Sequence, residues 1–131
     1  MCYQNSICIL TSDFHLEPDV NAEPRISIDQ LRRYNDGIIA FTGGSKGGVG
    51  RLLAEGQSVA AETLLEILKK IYGDRLYVEI QRHNLNIEHI IEGPLIDLAY
   101  KYDLPLIATN ECFFDTEDIF DAHDALICIS A

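Results

Sequence analysis

Gly37–Gly50 reads GIIAFTGGSKGGVG, and the fold follows from it. Ile38 to Phe41 is an unbroken apolar run bounded by glycine on the N-terminal side and by Thr42-Gly43 on the other. That pattern predicts a strand buried on both faces, as strands of parallel sheets are. The glycine-rich segment Gly43–Gly50 is then a loop at the strand's C-terminal end. In parallel α/β folds this is the end where functional groups gather.

Working outward, the same alternation repeats. Gln57-Ser58 opens an amphipathic helix with Leu64, Leu68, Ile71 and Tyr72 on one stripe, and Glu62, Glu66, Lys69 and Lys70 outside it. Val49, Leu52 and Leu53 suggest a short helical turn before it. Gly73-Asp74 ends the long helix, and Leu76–Ile80 (LYVEI) is a second strand. A polar loop, Gln81–Glu88, leads to a second helix lined by Ile91, Leu95, Leu98, Ala99 and Tyr102. Gly93-Pro94 lies inside it and predicts a kink or a late start. Asp103 ends it. Leu104–Ala108 (LPLIA) is a third strand, and Asp115 or Thr116 caps a last helix in which Ile119, Ala122, His123, Leu126 and Ile127 share a face. Strand, helix, strand, helix, strand, helix argues for an α/β fold of parallel βαβ units.

The N-terminal quarter is different. Residues 1–11 look like the end of a helix or strand begun elsewhere, and residues 12–25 are a polar loop with two prolines. Ser27 caps a short helix, Ile28–Tyr34, and Asn35-Asp36-Gly37 closes it with Gly37 as a left-handed stop. The chain therefore divides into an incomplete element and loop (1–25) and three strand–helix units (26–131).

Composition narrows the function classes. Of 131 residues, 47% are hydrophobic and 24% charged, the balance of a globular protein. Net charge is −11, from 10 Lys and Arg against 21 Asp and Glu. Nucleic-acid binding by this piece alone is thereby disfavoured, because neutralising phosphates requires a basic face. Cys2, Cys8, Cys112 and Cys128 form no C-x-x-C pair, so zinc and thioredoxin-like readings fail. Cys8 and Cys128 lie in apolar runs and are expected to be buried free thiols. With no membrane span and no signal peptide, the chain reads as cytoplasmic and reduced.

Three strand ends are candidate sites. TGGSKGGVGR carries Lys46 and Arg51 beside a glycine loop, but it matches no phosphate-binding signature, and a turn needing positive φ explains it as well. In YVEIQRHN, Glu79 is a carboxylate in a buried strand and needs a partner, which Arg82 or His83 could supply. In ATNECFFD, Thr109, Asn110 and Glu111 project from a strand end. A metal would need three or more converging ligands, and Glu79 and His123 are two further candidates. His123 lies on an apolar helix face, where a hydrogen-bonded core histidine is the plainer reading. His15, with Asp13, Glu17 and Asp19, belongs to a solvated loop. No nucleophile–base–orienter set is present.

Three segments in this order, GIIAFTGGSKGGVGRLLAEG, RLYVEIQRHNL and LPLIATNECFFDTEDIFDAHDALICI, resemble the later part of the PHP domain of bacterial DNA polymerase III α subunits, with a texture most like α-proteobacterial members. The resemblance covers about Arg25 to Ser130. It implies a distorted (β/α)7 barrel, of which this chain holds roughly the C-terminal half, at the N-terminus of a much larger polymerase. Half a barrel would leave strand edges and apolar faces uncovered, so self-association or marginal stability is expected.

The resemblance also implies what the site should hold. Intact members bind several metal ions at the strand ends and hydrolyse phosphoesters or pyrophosphate. Where they carry a cysteine after the first strand, this chain has Gly44. Where they carry Asp, one residue, then His after the last strand, it has Glu111 and Phe113. Gly44 and Phe113 offer no ligand, and Glu111 alone is a candidate. The resemblance thus points to a vestigial site without metal or cofactor, with Glu79, Arg82, Asn110 and His123 as residual or rim groups. The expected partners are the rest of polymerase III α and its ε proofreading exonuclease, with DNA met only through the parent protein and no membrane. The magnesium of the polymerase reaction would lie in another domain. A residual metal phosphoesterase, using Glu111, Glu79 and His123, is the competing enzymatic reading.

Overall fold

A computed structural model describes residues 4–9, 26–110, 112 and 116–130. The first element, α1, is a helix over residues 4–9. It is followed by α2 (Ile28–Arg33), β1 (Ala40–Phe41), α3 (Gly48–Ala54), α4 (Ser58–Tyr72), β2 (Leu76–Ile80), α5 (Asn86–Lys101), β3 (Leu106–Ala108) and α6 (Phe120–Ser130). The strands form one parallel sheet in the order β1-β2-β3, with Ala40 opposite Leu76 and Glu79 opposite Ile107. The α/β class and the parallel strand–helix alternation are therefore present.

The helix ends obey local chemistry. The Ser27 hydroxyl accepts from the Gln30 N–H at 3.2 Å, and the Gln30 side chain accepts from the Ser27 N–H at 3.0 Å, a reciprocal cap. Gly37 has φ +72°, the left-handed stop expected there, and Asp103, which ends α5, is left-handed too at φ +48°. Arg75 ties the turn before β1 to the sheet: its guanidinium donates to the carbonyls of Asn35 (2.6 Å) and Ile38 (2.9 Å). The helix α5 begins at Asn86 and runs through Pro94, so the late start does not occur.

The core lies between the sheet and helices α3, α4 and α5. Leu65, Leu76, Leu95, Val49 and Val78 are its largest fully buried side chains. On α4 the stripe is centred on Ala61 and Leu65, one position away from the expected Leu64, which packs at its margin. The carbonyl of Tyr102, just past α5, accepts from the Lys69 ammonium on α4, and the one Tyr102 hydroxyl proton is shared between the carboxylates of Glu62 and Glu66 there. Two carboxylates one helical turn apart thus share one phenol, which holds it neutral well above the usual tyrosine range.

Two expectations fail, the doubly buried first strand and the buried thiols, and the uncovered faces that half a barrel implies are the common reason. The first strand is not buried on both faces: Ile39 is 60% exposed and Phe41 48%. The last helix forms, but its apolar face is open, with Leu126 61% exposed, and none of the buried core residues comes from it. Cys128 is accordingly exposed, Cys8 is half-buried, and Cys2 lies outside the described residues. Apolar patterning demands a partner surface, and the described residues do not supply one for β1 and α6. The polar loop 12–25 also falls outside the described residues.

Candidate functional site

The glycine loop after β1, the end of β2 and helix α5 border a narrow cleft with room for about one water, lined by Gly44, Ser45, Glu79, Gln81, Glu88 and Glu92, among others. Gly44 reaches it because the glycine loop folds tightly back. A Cβ on Gly47 would stand 1.8 Å from the Thr42 carbonyl oxygen, so only glycine fits there. The loop is a packed turn leading into α3, and its close backbone contacts favour that role over a phosphate cradle.

Glu79, only 8% exposed, is the central carboxylate. Its N–H donates to the buried Thr42 hydroxyl oxygen at 2.9 Å, which fixes β1 against β2 beyond the last ladder pair. Its carboxylate accepts from the Thr109 hydroxyl, and more weakly from Gln81 Nε2 at 3.5 Å. Gln81 Nε2 also reaches Thr109 Oγ1 at 3.3 Å. Thus neither Arg82 nor His83 is the partner of Glu79. Both follow β2 on the segment that enters α5, and they pair with α5 carboxylates instead.

Arg82 makes a two-pronged contact with Glu92, at 2.7 and 3.0 Å. This bond holds the Glu92 carboxyl below its ordinary range, against a smaller opposing effect of burial. Glu88, 4% exposed, accepts from the backbone N–H groups of His83 (2.7 Å) and Leu85 (3.1 Å) and faces His83 Nδ1 at 2.8 Å. Burial pushes the Glu88 carboxyl up, but the bonds from the His83 ring and the two backbone groups together outweigh it and hold the group low.

Each cleft carboxylate is therefore engaged by neighbours. Among the described residues, no three His, Cys, Asp or Glu side chains stand where they could share an ion. Asn110 is exposed, with its carbonyl 3.9 Å from the Cys112 sulfur. His123 is half-buried on α6 and does not line the cleft, so it is not the core histidine its helix pattern suggested. Glu111 and Phe113 lie outside the described residues. Sequence reasoning missed Gln81, Glu88 and Glu92. Glu88 was findable, because a glutamate three residues past Leu85 occupies the capping position of a helix start. Gln81 carried no such signal.

Comparison with known proteins places this geometry in a family. The PHP domain profile matches residues 2–83, and the chain belongs to the PHP domain family. The match takes in residues 2–24, which the resemblance had left aside. The chain is 38% identical over 121 residues to the "DNA polymerase III subunit alpha" of Caulobacter vibrioides, covering 92% of this chain and 11% of that one. It is 39% identical over 106 residues to the protein of that name from Rickettsia bellii, covering 81% and 9%. For the Vibrio cholerae protein the identity is 34% over 127 residues, covering 97% and 11%. Two of these three sources are α-proteobacterial, in line with the texture of the sequence. The chain spans about a tenth of the length of these relatives. No helix among the described residues is long and apolar enough to cross a membrane.

The metal ions implied by intact family members do not fit the described donors. At position 44 there is no side chain, and Glu79 is committed to a hydroxyl and an amide.

Proposed function

We propose that this chain is the later part of the PHP domain of a DNA polymerase III α subunit, and that its role there is structural. In this reading the three-stranded sheet is part of a distorted (β/α)7 barrel, and the positions of Gly44, Glu111 and Phe113 mark a vestigial metal site. The parent protein carries out template-directed DNA synthesis in the cytoplasm, with magnesium held in another domain. The PHP portion supports that polymerase and helps to dock the ε proofreading exonuclease.

The observation that carries the structural reading is the state of Glu79. A carboxylate at the end of a central strand is engaged by hydrogen bonds from Thr109 and Gln81. Elemental analysis of the full-length polymerase should find no stoichiometric manganese or zinc in the PHP domain, and no hydrolysis of an aryl phosphate. Bound metal with activity abolished by Glu111→Ala would establish the phosphoesterase reading instead. A pull-down of ε by the whole PHP domain should succeed, and failure with a well-folded domain would remove the docking role.

A further inference from the structure

We infer that Gln81 and Gly44 are a coupled pair, in which the Gln81 side chain occupies the volume of a side chain at position 44 and its amide closes the cleft with neutral hydrogen bonds. Gly44 is buried and has φ +53°. A Cβ built on it would lie 2.5 Å from Gln81 Oε1 and 2.9 Å from Gln81 Cδ, well inside van der Waals contact. The other end of the same amide is anchored, with Nε2 at 3.3 Å from Thr109 Oγ1 and 3.5 Å from Glu79 Oε1.

The two halves of the amide do different things. Its oxygen end fills the space over Gly44, and its nitrogen end joins the ends of β2 and β3 through Thr109 and Glu79. A side chain at position 44 must push Gln81 aside. Displaced, Gln81 takes a donor away from a carboxylate that is only 8% exposed, and a buried charge that loses a donor is costly. Gly44 and Gln81 therefore constrain each other, and a ligand at position 44 would require both to change. The inference rests on the vestigial-site reading only for the meaning of position 44 in intact members; the packing stands without it.

The test is a double-mutant cycle in the full chain, with Gly44→Ala, Gln81→Ala and the combined variant compared by thermal and denaturant unfolding. Gly44→Ala alone should lower the unfolding midpoint, chiefly through the left-handed φ and in smaller part through displacement of the Gln81 amide from Thr109 and Glu79. With Gln81→Ala already present, the loss from Gly44→Ala should be measurably smaller, because only the backbone strain remains. Additive losses would overturn the pairing. If Gly44→Ala does not fold, a combined variant that does fold supports the pairing, and one that does not overturns it. Stoichiometric metal in the unmodified polymerase would instead sink the vestigial-site reading and leave the measured coupling intact.

Discussion

The His83 ring nitrogen Nδ1 stands 2.8 Å from Glu88 Oε1, and the His83 backbone N–H donates to the same carboxylate at 2.7 Å. One residue thus meets the buried cap of α5 with both its main chain and its side chain. The cap ties the strand end of β2 to the helix that completes the core.

Stability should therefore depend on the charge of Glu88. Its carboxyl is held below the ordinary value of 4.5, so the folded state favours the ionised form. The unfolded chain takes up the proton first as pH falls. The contribution is complete above 4.5 and is lost as pH drops below it, through the lowered folded value. At neutral pH, Glu88→Gln should lower the melting midpoint by several degrees, and the gap should close in acid. A gap independent of pH, measured by circular dichroism melts, would contradict this account.

Leu65→Ala should cost about 2–5 kcal/mol, since Leu65 is 1% exposed at the centre of the core and the cavity can collapse only in part. Leu64→Ala, at the margin of the same stripe, should cost clearly less. Urea unfolding of the two variants measures the difference, and equal losses would place the helix face wrongly.

Tyr102 and Tyr72 should resist ionisation in the folded chain. Hydrogen bonds to Glu62 and Glu66 raise the first, and burial raises the second. Because the neutral phenol is favoured by folding, this stability is present below pH 10 and lost as pH rises beyond it. Ultraviolet titration should show fewer than the six tyrosines ionising near the ordinary value, and all six in denaturant. Tyr102→Phe should weaken the α4–α5 contact and leave Glu62 and Glu66 without their shared donor.

The open edge of β1 should drive self-association. Among the described residues Phe41 is exposed on the edge strand β1, with Ile39 exposed just before it, and Leu106 is 42% exposed on the other edge. Light scattering should give a mass above 14.7 kDa, and Phe41→Lys should shift it toward the monomer. A wild-type chain that is monomeric and stable at micromolar concentration would show that these edges are harmless.

Much of this architecture was legible along the chain. Apolar runs at Ile38, Leu76 and Leu104 located all three strands, although β1 and β3 are shorter than those runs. The Ser27 cap and the stops at Gly37 and Asp103 followed from local chemistry, which acts over a few residues. The site was less legible. That Glu79 is buried could be read from its strand, but not which side chain meets it. Arg82 and His83 are near in sequence, yet Thr109, thirty residues on, is the partner.

The sequence by itself determined the elements and their parallel pairing, because hydrophobic period, caps and turns are properties of neighbouring residues, while the family came from the resemblance of three segments and not from these patterns. Only the tertiary structure decided that Gln81 fills the space over Gly44 and that Arg82 and His83 serve α5. Those outcomes depend on which distant surfaces meet, and a carboxylate or an apolar face can state its need for a partner without naming it.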